Sequence, residues 1–170
     1  MVQLRLTEKL RKALAIPISE LSAINEESDG FGNWTLNLFV ADRRKCVIFV
    51  NEKTLYSFIT FGLKKSNIAH FPEMFLNCLI QLLELDGFSE KQIHYLVGQY
   101  GEIQFTKTAS KKVLGNINDL VWHYQHRINS LGGFKYADVG EIIHSLNRMP
   151  QRNIGWGYSI EAVKAMAKNA

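Results

Sequence analysis

WTLNLFVADRRKCVIFVNEKTLYSF, residues 34–58, is the stretch whose reading decides the fold. Trp34, Leu36, Leu38 and Val40 alternate with Thr35, Asn37 and Phe39, the two-residue period of a strand with one well-buried face. Cys46, Val47, Ile48, Phe49 and Val50 are apolar on both faces, the pattern of a covered inner strand. Asp42, Arg43, Arg44 and Lys45 mark a tight basic turn between them. Asn51 has the side chain of a helix N-cap, and the spacing predicts a helix beyond it carrying Leu55 and Phe58.

Upstream, Val2 to Leu6 reads as a short strand, and Thr7 caps a helix that ends before Pro17, a residue unable to continue it. Ser19 to Asn33 is polar and turn-rich, hence a loop. Downstream, Gly62 to His70 is a connection exposing Lys64 and Lys65. Pro72 then opens a helix that buries Phe75, Leu79, Leu82 and Leu83 and stops at Asp86-Gly87. Ser89 and Gln92 have capping-box spacing and start a helix with Ile93, Leu96 and Val97 inward. Glu102 to Lys107 alternates as a strand.

The longest helix is predicted over about Ala109 to Leu131. Val113, Leu114, Ile117, Leu120, Val121, Tyr124, Ile128 and Leu131 fall in one arc at 100° per residue, and Gly132-Gly133 ends it. A helix over Ala137 to Leu146 stops before Pro150, and Ser159 caps a last one through Ala167. The expected architecture is α+β: one domain, with a small, mostly antiparallel sheet of three or four strands packed by about six helices.

Composition limits the classes. At 170 residues the chain can bury roughly two-thirds of its unfolded surface, and 46% apolar with 21% charged residues argues against global disorder. The N-terminal MVQLRLTEKLRK lacks the apolar core of a signal peptide, and no apolar run reaches the roughly 18 residues of a membrane span. A cytoplasmic protein without membrane partners is the expectation. Cys46 and Cys78 are too few for a disulfide scaffold or a thiolate zinc site, and read as reduced core thiols. Met1 to Asp86 holds ten basic and ten acidic side chains, whereas Gly87 to Ala170 holds ten and six, so the net +4 lies in the second half.

Chemistry concentrates in few places. Lys112, Asn116, Asp119, His123, His126 and Ser130 step by four and three along the polar line of the long helix. A solvated face explains them; a phosphate- or partner-binding face is the functional alternative. A metal held by Asp119, His123 and His126 has no supporting motif, so neither metal nor cofactor is assigned. At the entry to that helix, Lys107, Ser110, Lys111 and Lys112 combine hydroxyl, charge and helix start, although N-capping alone accounts for Ser110. Arg43, Arg44 and Lys45 form a second candidate phosphate contact, with Lys64-Lys65 as another patch. Asn147, Arg148, Gln151, Arg152 and Asn153 make a polar, basic loop next to Trp156 and Tyr158. Trp156 could stack on a base or close the core from one edge, the second being preferred. Asp119 one turn before His123 has the spacing of a base and its orienting carboxylate, but no nucleophile pairs with them.

Three blocks, WTLNLFVADRRKCVIFVNEKTLYSF, TKTASKKVLGNINDL and NRMPQRNIGWGYSIEAV, together resemble a family of uncharacterised bacterial domains of unknown function. The resemblance rests on Trp34, Asp42 to Cys46, Thr54, Ser57, Val113 to Gly115, Asn118, Asp119, Asn147 and Pro150. The chain departs from it at Lys111-Lys112, where the family has Arg-Ser, and at Tyr158-Ser159, where the family has a proline nearby. The resemblance implies no activity. Three readings follow. The preferred one is a non-enzymatic binding or regulatory module meeting nucleic acid or an acidic protein through its basic clusters. The others are a small enzyme for a phosphate-containing substrate using Asp119 and His123, and a self-associating domain with Trp122 and Trp156 in the interface.

Overall fold

The computed structural model describes residues 1–28, 30–63 and 65–170, with residues 65–67 described by their backbone alone. Its sheet is mixed rather than mostly antiparallel, and it has five strands. β1 (Val2–Leu6), β2 (Trp34–Ala41), β3 (Arg44–Asn51), β4 (Ser57–Phe61) and β5 (Ile103–Lys107) lie in the order β4-β3-β2-β1-β5. The 34–51 hairpin forms as expected, with Leu36 opposite Phe49 and Leu38 opposite Val47. The expected three or four strands fall short of these five, and two of the pairings are parallel. β1 lies parallel to β2 and to β5, and all five of its residues are buried, as an inner strand requires.

The second difference is β4, which stands where a helix was expected. Asn51 does cap, but it caps a turn. Its Oδ1 accepts from the backbone N–H of Lys53 and Thr54 at 3.1 and 3.0 Å and from Thr54 Oγ1 at 2.9 Å, while its Nδ2 donates to Phe31 O. Leu55 then takes a left-handed φ of 58°, which sends the chain back along β3, Phe58 opposite Phe49.

Six α-helices surround the sheet: α1 (Glu8–Ala13), α2 (Phe71–Leu85), α3 (Glu90–Val97), α4 (Lys111–Ser130), α5 (Val139–Leu146) and α6 (Ser159–Ala167). A two-residue ladder, β6 (Pro150–Gln151) with β7 (Gly157–Tyr158), closes the loop between α5 and α6. The capping box at Ser89 and Gln92 is present, and Ser110 caps α4 by accepting from Val113 N–H at 3.3 Å. Ser159 does not cap α6. It is that helix's first residue, Tyr158 precedes it with no side-chain bond, and the buried Ser159 Oγ has no partner among the described residues.

The two sheet faces differ in chemistry. One carries Trp34, Phe49 and Phe58 against Phe71 and Phe75 of α2; Phe49 stacks on Phe58 at 4.5 Å and Trp34 meets Phe75 edge-on at 5.3 Å. The other carries Gln3, Arg5, Thr35 and Ser57 in register. There buried Arg5 donates to Glu52 and to Asn25 O, which pins the 21–28 loop. On the same face, Ser57 Oγ and Tyr124 OH lie 3.0 Å apart, which places α4 across that side with Ile117, Leu120, Tyr124 and Ile128 inward. The centre of the expected arc on α4 is buried, while Val113, Leu114 and Val121 are half-buried and Leu131, at the C-cap, is exposed.

Candidate functional site

The two basic clusters do not meet. Asp42 and Arg43 occupy the β2–β3 turn with φ of 45° and 62°. Asp42 folds back, its Oδ2 accepting from Phe134 N–H at 2.9 Å just beyond the C-terminal end of α4. Arg44 is also engaged: its guanidinium lies over Phe61 and Phe134, 5.9 and 5.7 Å from the ring centres, and those rings stack at 4.6 Å. Arg43, Arg44 and Lys45 are all exposed at this turn, Arg44 with its guanidinium held over the two rings. Lys107, Lys111 and Lys112 are exposed at the opposite end of α4, roughly 30 Å away for a helix of this length. The second patch, Lys64 and the side chain of Lys65, lies outside the described residues.

What the fold assembles instead is a groove on the outer side of α4. The 147–158 loop folds onto that helix, with Asn153 Nδ2 donating to Asn116 Oδ1. Asp119, Trp122 and His123 of α4 then face Met149, Gln151, Arg152 and Trp156 across a cavity of about 330 Å³. Trp156 was expected to close the core; it is instead 66% exposed, and Trp122 is 58% exposed. Two large aromatic rings thus share one solvent-facing cavity, an arrangement that burial alone would oppose.

Local chemistry explains how the loop holds its shape. Gly155 and Trp156 are both left-handed, with φ of 66° and 61°, and Trp156 N–H donates to Gln151 O at 2.9 Å. Glycine takes that conformation freely, whereas a tryptophan there is strained. In this turn the indole lies outside, exposed to solvent. On α4, the Trp122 ring stacks on His126 at 5.0 Å and 6°, and meets His123 edge-on at 5.0 Å. The Gln151 side-chain Nε2, in the wall of the groove, is shielded from solvent and has no acceptor among the described residues.

The base-and-carboxylate pair is half assembled. Asp119 and His123 line the same groove, but among the described residues no hydrogen bond joins them. Burial, the neighbouring Arg127 and His126 hold the His123 imidazole below its ordinary pKa, against the opposing pull of Asp119. No group of three metal-ligating side chains occurs among the described residues. Burial pushes the Cys46 thiol up to about 11 and the Cys78 thiol in the same direction, disfavouring the thiolate.

Of the candidates read from sequence, Asn116, Asp119 and His123 come together, and Lys111 and Lys112 lead into them along α4. Arg43 and Lys45 stand apart, Arg44 is engaged at the turn, Ser110 is a cap, and Lys107 ends β5. Gln151, Arg152 and Trp156 complete the site. Their polarity was visible in the sequence, but their docking against α4 was not.

No characterised protein matches the sequence of the chain. A family model described as a domain of unknown function (DUF6933) matches residues 3–162, a span that takes in the hairpin, all of α4 and the loop closing the groove, and the chain belongs to that family.

Proposed function

We propose that this chain is a non-enzymatic binding module that engages nucleic acid along the outer side of α4. The observation that carries the reading is the shared groove. Two exposed tryptophans and Arg152 line one cavity, and the helix that forms its floor begins with Lys111 and Lys112. Cations that hold phosphates beside aromatic planes that stack on bases are the recurring parts of such surfaces. Asp119 fits as well, because a carboxylate in a base-reading groove accepts hydrogen bonds from exocyclic amino groups. In this reading the chain acts as one domain in the bacterial cytoplasm, in keeping with the lack, among the described residues, of any helix long and apolar enough to cross a membrane.

Fluorescence anisotropy with labelled DNA and RNA, titrated across salt, tests it. Binding by Lys107, Lys111, Lys112 and Arg152 predicts a log–log salt slope of about −2 to −3 for a single strand. Loss of binding in the Lys111→Ala/Lys112→Ala variant, with Arg43→Ala unaffected, supports the assignment. No binding at low salt overturns it and leaves an acidic protein as the partner to seek.

A second reading has its own support. Trp122 and Trp156 in one patch also suit a second copy of the chain. Light scattering over a concentration series separates the two: a dimer abolished by Trp156→Ala favours self-association, and a monomer throughout removes it.

A further inference from the structure

Gly115 has no reason to be glycine inside this protein. It lies within α4, where glycine is the poorest helix former after proline, and it is exposed. A Cβ built there would meet nothing within 4 Å, and no positive φ demands glycine. A helix that keeps such a residue against its own propensity leaves space for something outside the fold. Glycine is the residue that lets a ligand come close to a backbone.

Its position says what. Lys111, Gly115, Asn118 and Trp122 fall on one side of α4, at the spacing of successive turns, with His126 stacked beneath Trp122 one turn on. The row runs cation, bare backbone, amide, indole. From Lys111 to Trp122 the rise is about 16 Å. At about 3.4 Å per stacked nucleotide of one strand, this is on the order of five nucleotides, near the lower end of the site sizes of single-strand binders. A duplex presents no free base face to an indole, whereas a single strand does.

We infer that this row is a track for a short single strand: phosphates at Lys111 and Lys112, the sugar–phosphate chain crossing α4 at Gly115, and an unpaired base stacked on Trp122 inside the groove. The inference rests on the nucleic-acid reading above and narrows it to single strands held against bare helix backbone. Charge agrees at the track's start, where Lys107, Lys111 and Lys112 are exposed. Asp119 is the one acidic residue within α4 and in the groove lining, at the end where bases rather than phosphates would lie.

The test is Gly115→Leu in the full chain, with Gly115→Ala as the milder partner. Leucine is a good helix former, the position is exposed and a Cβ there meets nothing, so both variants are expected to melt at or above the wild-type temperature by circular dichroism. Anisotropy is then measured with labelled oligothymidylates of about 4, 8 and 16 nucleotides and with a duplex of about 16 base pairs. The expected result is single-strand binding that is already near full strength at about 4 to 8 nucleotides. Gly115→Leu should weaken it roughly tenfold or more, Gly115→Ala less, and Trp122→Ala roughly 5- to 150-fold. A folded Gly115→Leu variant with wild-type affinity overturns the track. So does duplex binding as tight as single-strand binding, even though in both cases lysine-dependent binding would leave the broader nucleic-acid reading intact. Failure of every oligonucleotide to bind at low salt overturns both.

Discussion

The side chain of Asn147 stands in for a missing strand. Its Oδ1 accepts from Ser57 N–H and its Nδ2 donates to Ser57 O, both at 2.8 Å, so a single buried amide pairs with the free edge of β4 as a neighbouring strand would. Edges of sheets are otherwise open to pairing with other chains. Because Ile160 N–H donates to Asn147 O, the same residue ties the sheet to the start of α6.

Asn147→Ala is therefore expected to destabilise the fold by about 2–3 kcal/mol, since both Ser57 groups stay buried without partners. Urea unfolding measures this. A loss below about 0.5 kcal/mol would show that the edge is satisfied by other means.

At the β2–β3 turn, Arg43 holds φ 62°, and among the described residues it has no ring or carboxylate partner that would require arginine. Arg43→Gly should relieve left-handed strain, offset in part by the greater freedom of glycine in the unfolded chain, for a net gain of up to about 1 kcal/mol. The same variant should bind oligonucleotides as the wild type does, because the turn lies at the other end of α4. Thermal melting and anisotropy on one preparation check both.

Asp86 collects three elements at the end of α2. Its carboxylate accepts from Tyr56 OH at 2.6 Å and from both terminal nitrogens of Arg148 at 3.2 Å, with His144 Nδ1 at 3.4 Å. Burial, then the Asp86 charge, pushes the Tyr56 phenol upward, which keeps it a donor. Tyr56→Phe should lower stability by about 1.5 kcal/mol and Asp86→Ala by about 3 kcal/mol. A Tyr56→Phe/Asp86→Asn cycle should return a coupling of about 1 kcal/mol; additivity would break the proposed link.

His123 gives two pH dependences of opposite sign. Its folded-state pKa lies below the ordinary value of 6.5, so the unfolded chain takes up the proton first. Its contribution to stability is thus intact above about pH 6.5 and declines as the pH falls toward the folded-state value. A phosphate-bearing ligand in the groove favours the imidazolium instead, so affinity should rise over the same range. Asp119, His126, Arg127 and Arg152 surround this group, and His123→Gln is expected to flatten both profiles. Unfolding and anisotropy series at about pH 7.5 to 5.5 read them out.

Much of this molecule is legible in its residues. Alternation fixes the 34–51 hairpin, Ser89 with Gln92 marks the start of α3, and the arc of Ile117, Leu120, Tyr124 and Ile128 states which side of α4 is buried. Trp122 announces itself as the large residue opposite that arc. Asn51 shows why reading stops where it does: one side chain caps a helix or a turn equally well, and the choice fell to Thr54, whose hydroxyl joins it. The parallel pairing of β1 leaves no local trace, since it depends on strands far along the chain. The groove is hidden for the same reason. Residues 147–158 look like a polar loop until the contact of Asn153 with Asn116 lays them on α4.

The central place of β1 has a kinetic consequence. Val2 pairs with Ile103, and β2 and β5 flank a strand built from the earliest residues of the sheet. As the chain is made, Val2, Leu4 and Leu6 wait with one side unpaired until β5 emerges. Such non-local closure belongs to the slow end of domain folding, and the waiting strand is a template for aggregation. β5 leads directly into α4, and the groove on α4 waits further still, for the 149–156 segment that forms its other wall.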